Sequence, residues 1–357
     1  MPQNGLQLHE IAPSDLEEMA RFISRESGSD TPLPRALERL SWILLENPAR
    51  ELGDPLGWLL RTPSGEVGGC ICCAPQKFCF GQTTFTLMMS NSFYVDDQYR
   101  GSGASIFLKY LQLGRRYPLF VTSANVTVAE MWQKLGGYPL GNSDREVIGI
   151  VRWPPLLAES VYRKTASDGL AQFAAAVAAP WVRARRRLNL GTDEGTLLPL
   201  GSPEDAARVC AEHRSDKITS CRDVPFLKWR YFSRVDPTTR LLVFRPSGGD
   251  KRQFMVAVCL QNRGYKQQIR ALHVLDIWGE ADSNYCLAIA AGLWREYREQ
   301  IDMLVFRCLN PEQQQALAAH GFKVRSFAAP IAWCMDKYEL LPSKTWYVVP
   351  ADGDMFL

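Results

Sequence analysis

The sequence lacks the features that identify membrane, secreted and metal-binding proteins. The longest apolar candidate, residues 169–182, is too short and too weakly apolar to span a bilayer, because it is alanine-rich and contains Gln172 and Pro180. Residues 1–10 have neither the basic start nor the apolar stretch of a signal peptide. The four histidines show no metal-ligand spacing. We therefore expect a cytoplasmic protein with no membrane partner and no metal.

Paired cysteines are missing as well. The chain has 10 cysteines in 357 residues, and Cys70, Cys72 and Cys73 share one strand-like run without the pairs that zinc sites use. This pattern is typical of small buried apolar side chains in a reducing compartment.

A strong charge of either sign is also absent. The net charge of +3 favours neither a nucleic-acid partner nor an acidic tail. The densest basic run, Arg183, Arg185, Arg186 and Arg187, has no aromatic residue among its arginines. It favours a solvated helix face, with a phosphate-binding or partner-binding patch as the alternative.

The order of predicted elements is the same in both halves. Each half is predicted to contain two helices, three strands, a helix, a strand, a helix and a strand, with almost no residue identity between the halves. We predict an α/β protein (α+β, with mixed sheets) of two tandem domains. The first covers residues 1–152 and closes with a strand at 147–151. A helical connector follows over 153–192, then a second domain over 193–340 and a tail over 341–357.

The most informative segment joins a strand predicted at residues 83–95 to a helix predicted from residue 102. The turn between them reads Arg100-Gly101-Ser102-Gly103-Ala104-Ser105. Its glycines permit close approach of a ligand and strained backbone angles. The first amides of the helix have no internal partner, and the helix dipole favours an anion there. The glycines alone fit a phosphate cradle and a plain strand-to-helix turn equally well.

Two segments together resemble the GNAT acetyltransferase family. The coenzyme A motif of that family, Arg/Gln-x-x-Gly-x-Gly/Ala, matches at Arg100 and Gly103, with Ser105 as a small substitute at the last position. Phe93 and Val95 occupy the strand positions before it.

The second segment, residues 125–138, is similar to the family's Asn…Ala…Tyr-x-x-x-Gly-Phe run. Asn125 and Ala129 match, while Trp132 stands at the tyrosine position. The resemblance covers about residues 8–152. It implies a pair of neighbouring strands that splay apart and admit the pantetheine arm of acetyl-coenzyme A, the cosubstrate. The cofactor-binding residues that it implies are Phe93, Val95, Arg100, Gly101, Ser102, Gly103, Ala104, Ser105, Asn125 and Trp132.

The catalytic groups depart from the family pattern. A tyrosine commonly protonates the leaving thiolate in this family, and the indole of Trp132 is a poor acid. The motif strand contains no Asp or Glu and offers Ser90 and Asn91 instead. Tyr94 or Tyr99 could replace the acid, so our candidate catalytic residues are Ser90, Asn91 and Tyr94.

The second half resembles a degenerate GNAT domain. Its matching turn, residues 279–284, has one glycine and two carboxylates, which would repel a pyrophosphate. His273 and Asp276 lie three apart on a predicted strand. They should face opposite sides, which argues against an acid–base pair.

The resemblance implies an acyl-CoA-dependent N-acyltransferase that acetylates a primary amine of a small molecule or sugar. Two alternatives stay open: a non-catalytic acyl-CoA-binding or scaffold protein, and a Fem-like aminoacyl transferase. A further analogy, to acyltransferases of bacterial polysaccharide pathways, rests on residues 42–48, residues 227–231 and the aromatic, acidic tail. The sequence leaves a homodimer open.

Overall fold

The structure is a computed structural model that describes residues 5–28, 31–122, 124, 126–140, 145–185, 188, 190, 195–213, 216–233, 238–279, 281–307, 309–326, 331–333 and 345–352. The first half contains β1 (Gln7–Glu10), α1 (Leu16–Ser27), α2 (Leu33–Leu44), β2 (Gly57–Arg61), β3 (Val67–Phe80), β4 (Thr83–Val95), α3 (Gly103–Gln112), β5 (Leu119–Val121), α4 (Val126–Lys134), β6 (Tyr138–Pro139) and β7 (Arg145–Ile150). The connector contains α5 (Pro154–Thr165) and α6 (Asp168–Arg185). The second half contains β8 (Gly195–Pro199), α7 (Pro203–Ala211), β9 (Thr219–Ser220), α8 (Val224–Leu227), β10 (Thr239–Pro246), β11 (Phe254–Arg263), β12 (Ile269–Trp278), α9 (Ser283–Tyr297), β13 (Met303–Arg307), α10 (Pro311–Ala319), β14 (Lys323–Ser326) and β15 (Ile331–Trp333).

The two halves build two mixed sheets of the same design. The first sheet has the strand order β1-β2-β3-β4-β5-β15-β6, with β9 paired to β3. The second has the order β8-β10-β11-β12-β13-β7-β14. Every strand of one order has its counterpart in the other, so the predicted α/β class and the tandem arrangement are confirmed.

The last strand of each half crosses into the sheet of the other half. Strand β7 lies between β13 and β14, with Ile148 opposite Val305. Strand β15 lies between β5 and β6, with Ile331 opposite Val121. Our prediction that the strand near residues 147–151 closes the first domain is therefore wrong. An apolar strand pattern reports burial, and both sheets bury their inner strands equally well. The two sheets thus share chain, and residue 152 is not a boundary between them.

A pair of tryptophans also joins the two halves. Trp42 of α2 and Trp229, in the π-helical turn that follows α8, stack with ring centroids 4.4 Å apart and ring planes at 16°. The Trp42 indole N–H donates to the Trp229 carbonyl, and the Trp229 indole N–H donates to the Trp42 carbonyl, both at 3.0 Å. Both side chains are buried. Because α2 and α8 occupy matching places in the repeat, the contact is reciprocal. One apolar core, which includes Leu44 and Phe226, runs through both halves.

We predict that the two tryptophans stabilise the fold as a coupled pair. Trp42→Phe removes one indole N–H and leaves a buried carbonyl without its donor, which costs about 1–3 kcal/mol of unfolding free energy. Trp229→Phe should do the same. In a double-mutant cycle by chemical denaturation, the two changes should show a coupling of about 0.5–3 kcal/mol. If the two changes in unfolding free energy are strictly additive, the tryptophan pair does not hold the two halves together.

Candidate functional site

A cavity opens in the first sheet where two parallel strands part. Residues 88–90 of β4 pair with residues 119–121 of β5, but β4 continues to Val95. Beyond the paired stretch lies a cavity of about 460 Å³, with walls from α1, α2, α3 and α4. This volume falls within the usual range for small-molecule sites. The strands therefore splay as the family resemblance implies.

A bulge in β4 shapes the cavity wall. Cys72 lies opposite Asn91 and Cys70 opposite Tyr94, so β4 carries one residue more than β3 here. Ser92, inside the bulge, has a φ of +51°, in the left-handed region that non-glycine residues rarely adopt. Because of the extra residue, Asn91 and Tyr94 share a face although they are three apart. Backbone strain of this kind is concentrated at functional sites.

The structure brings most of the predicted strand residues to one cavity. Ser90, Asn91, Phe93, Tyr94 and Trp132 all line it. Polar residues of α1, of α2 and of the turn between them line the opposite wall, and the sequence did not single them out because exposed polar positions have no distinguishing pattern. These residues are Ser24, Ser27, Thr31 and Arg39.

Asn91 is the most unusual group in the cavity. Its side chain is 3% exposed, and neither Oδ1 nor Nδ2 has a hydrogen-bond partner. A buried polar group in this state costs about 1–3 kcal/mol, so it is retained at the expense of stability. Ser90 is buried next to Asn91 but is not among the buried groups without a partner, and the Tyr110 hydroxyl donates to the Met88 carbonyl at 2.6 Å. Asn91 can therefore bind a ligand without losing a bond inside the protein.

The glycine turn has a different geometry from the one predicted. Residues Asp97–Ser102 form a 3₁₀ turn, and α3 begins at Gly103. Neither Gly101 nor Gly103 adopts a left-handed φ, so the expectation of strained angles is wrong. Gly103 instead allows close packing of helix on strand, since a Cβ there would lie 3.1 Å from Val95 Cγ2. A Cβ on Gly101 would meet nothing within 4 Å.

The amino end of α3 carries no side-chain cap. The Gly103 amide donates to the Arg100 carbonyl, and the Ser105 hydroxyl donates to the Ser102 carbonyl at 2.7 Å. Arg100 is exposed and lies 2.6 Å from Asp97, so its charge is partly compensated. Ala104 is exposed at the same helix end. Contact of these residues with a cofactor stays a prediction, and Asn125 lies outside the described residues.

Trp132 is part of the core as well as of the cavity wall. Its side chain is 1% exposed and meets Phe107 and Tyr110 edge to face, with centroids 5.0 and 5.8 Å away. Tyr99, the alternative acid, packs its ring beside Gly68 and is not among the residues that line the cavity. Tyr94 is therefore the better placed of the two tyrosines.

The corresponding site of the second half is closed. The Asp282 carboxylate accepts from the amides of Asn284 and Tyr285 at 2.9 and 3.0 Å, so it caps α9 where a phosphate would bind. The gap between β12 and β13 retains a cavity of only about 10 Å³, lined in part by Tyr347 and Val349 from the C-terminal segment. The second half therefore has the architecture of the first without an open cleft.

Buried charges hold that C-terminal segment in place. Arg222 Nη2 lies 2.9 Å from Asp276 Oδ2 and 3.2 Å from Asp352 Oδ1, and all three side chains are buried. The Tyr347 hydroxyl donates to the Ile277 carbonyl. Burial raises the pKa of Asp276 to about 6, although Arg222 opposes this effect. Removal of one member of such a cluster would leave an uncompensated buried charge.

The prediction that His273 and Asp276 face opposite sides is wrong. Val274 pairs with Val258 and Asp276 with Ala257, so Leu275 forms a bulge that places His273 and Asp276 on one face. Their partners nevertheless differ, because His273 Nε2 lies 3.4 Å from Arg263 while Asp276 bonds Arg222. Burial, together with the positive charge of Arg263, lowers the pKa of His273 well below its usual value.

Comparison with known proteins supports the fold. No protein-family model matches the chain, and no curated protein has a matching sequence. Solved structures do match. A GCN5-related N-acetyltransferase from Anabaena variabilis has 12% identity and a TM-score of 0.57, over 92% of this chain and 72% of that one. N-myristoyltransferase from Saccharomyces cerevisiae with bound myristoyl-CoA has 10% identity and a TM-score of 0.58, over 92% of this chain and 79% of that one.

These similarities extend over both halves and agree with the matching strand orders, the splayed β4–β5 pair and the unshielded start of α3. The chain therefore has the GNAT fold twice in tandem, and the cleft of the second copy is closed among the residues that the structure describes.

Proposed function

We propose that this protein is an acyl-CoA-dependent N-acyltransferase that transfers an acetyl group to a primary amine of a small molecule or sugar. The observation that carries the proposal is the cavity at the end of the β4–β5 pairing, with the unpartnered amide of Asn91 in its wall. A buried amide without a partner inside the protein is available to the reacting groups in this cavity. The similar yeast structure contains bound myristoyl-CoA, which supports the choice of cosubstrate.

Coenzyme A would enter from the turn between β4 and α3. Its pyrophosphate would lie against residues 101–105 at the amino end of α3, where the helix dipole is positive and no side chain caps the helix. Arg100 would exchange its contact with Asp97 for a phosphate. The pantetheine arm would follow the backbone of residues 93–95 into the gap between the strands. This places the thioester in the cavity.

The chemistry is a direct transfer. The amine nitrogen attacks the thioester carbonyl, a C–N bond forms, and the C–S bond breaks as the thiolate leaves. Asn91 Nδ2 would donate to the carbonyl oxygen as its negative charge develops, and Oδ1 would accept from the attacking amine. Tyr94, on the same face as Asn91, would give its hydroxyl proton to the thiolate and take up the proton that the amine nitrogen loses, so that amide and free thiol form and Tyr94 is restored. Ser90 would line the cavity next to Asn91.

Release of free thiol tests the reaction itself. With acetyl-CoA and a panel of primary amines, including amino sugars, we predict thiol release that depends on the acceptor and saturates with its concentration. A scaffold protein would bind acetyl-CoA in calorimetry yet release no thiol with any acceptor. That result would contradict the enzymatic proposal.

A charge placed at Gly101 tests the cofactor site. Gly101→Glu should lower coenzyme A affinity at least about tenfold, because the carboxylate repels the pyrophosphate. Gly101→Gln is the matched control of equal size and should bind nearly normally. Both variants should keep their melting temperature, since the position is open. If the Glu and Gln variants bind coenzyme A with equal affinity, the pyrophosphate does not bind at this turn. Gly103 is the poorer choice, because any side chain there meets Val95.

Asn91 gives a test that separates catalysis from stability. Asn91→Leu keeps the approximate volume, and we expect about a 100-fold loss in kcat with little change in coenzyme A affinity. The same change should leave stability equal or higher, because it removes an unpaired buried amide.

Asn47 provides the control for that experiment. It is also buried, but its Nδ2 donates to the Pro75 carbonyl at 2.8 Å and its Oδ1 accepts from the Ala49 amide at 2.9 Å. Asn47→Leu should therefore destabilise the protein in chemical denaturation. If Asn91→Leu destabilises it equally and leaves kcat unchanged, Asn91 is a structural residue.

A further inference from the structure

An apolar stripe on the connector helix α6 faces solvent. Leu170, Phe173 and Val177 follow one another at helical spacing, and they are 55%, 67% and 54% exposed. Ala171, on another side of the helix, is buried, so α6 packs by the face of Ala171 and presents these three larger apolar side chains outwards. Most soluble proteins avoid such a row, and contiguous exposed apolar surface marks an interaction site.

The same connector concentrates the positive charge of the protein. Residues 152–187 contain seven basic and two acidic residues, a net charge of +5 against +3 for the whole chain, so the remainder is slightly negative. The basic residues are Arg152, Arg163, Lys164, Arg183, Arg185, Arg186 and Arg187. Arg163 and Lys164 are exposed in the last turn of α5, just before α6. An apolar stripe with basic flanks is the pattern of helices that lie on anionic membranes.

We propose that the exposed face of α6 binds a negatively charged phospholipid surface. Leu170, Phe173 and Val177 would enter the boundary between headgroups and acyl chains, and the exposed Arg163 and Lys164 would contact the anionic headgroups. The helix would lie along the surface. No helix in the part of the chain that the structure describes is long and apolar enough to cross a bilayer.

The net charge of the connector argues against a second copy of this chain as the partner of the exposed α6 face, and the apolar stripe argues against nucleic acid. A second copy of this chain would bring its own net +5 to the contact, and like charges would oppose the association. Nucleic acid would satisfy the charge but would not take up the leucine and phenylalanine side chains. Only a surface that is both anionic and apolar matches the two observations together. This inference replaces the expectation of no membrane partner, which considered only bilayer-spanning segments, and it does not depend on the proposed reaction.

Vesicle co-sedimentation of the full chain tests the proposal. The protein should sediment with phosphatidylcholine–phosphatidylglycerol vesicles at least about tenfold better than with pure phosphatidylcholine vesicles, and high salt should weaken the binding. Phe173→Ser should reduce the apparent affinity about tenfold by removing the largest apolar group. Arg163→Gln with Lys164→Gln should reduce it mainly at low salt.

Leu52→Ser is the matched control, because Leu52 is a fully exposed apolar residue outside the connector. It should bind vesicles like the unchanged protein. Equal sedimentation with both kinds of vesicle, or equal loss in the Leu52 and Phe173 variants, would overturn the proposal. Size-exclusion chromatography completes the test. If the unchanged protein does not bind vesicles and Phe173→Ser lowers its apparent mass in solution, the stripe mediates self-association instead.

Discussion

The exchange of one strand between the two sheets is the constraint on which the rest of the structure depends. Each sheet is complete only when the last strand of the other half is inserted between its own strands. The reciprocal tryptophan contact and the shared core then fix how the halves lie together. The second half is therefore required for the first sheet, even though its own cofactor cleft is closed.

A β-bulge occurs at the same place in both halves, but its consequence differs between the two clefts. Both long central strands carry a bulge just beyond their parallel pairing, at Ser92 in β4 and at Leu275 in β12. In the first half, the bulge turns Asn91 and Tyr94 towards an open cavity. In the second half, it turns Asp276 towards Arg222, and the C-terminal segment fills the gap. The first half therefore retains an open cavity, whereas in the second half the C-terminal segment occupies the corresponding space.

Much of this arrangement could be predicted from the sequence. Strand β4 and the start of α3 lie where the alternating pattern and the glycine turn indicate. Both halves contain the predicted elements in the predicted order, but the structure adds the short strands β1, β6, β8, β9 and β14, which were not predicted. The predictions were wrong where the sequence pattern does not specify which sheet a strand joins or which side chains share a face. Apolar alternation in β7 cannot specify which sheet takes the strand. A bulge changes which residues share a face, so neither Asn91 with Tyr94 nor His273 with Asp276 could be paired by counting alone.

We propose that coenzyme A binds to a single cleft, in the first sheet. Isothermal titration of the unchanged protein with coenzyme A is the decisive measurement, because the fold repeats but the clefts differ. We expect a stoichiometry of one cofactor per chain, with no second, weaker site. Two sites per chain would contradict the closure of the second cleft by Asp282 and the C-terminal segment, and no binding at all would contradict the assignment of the first.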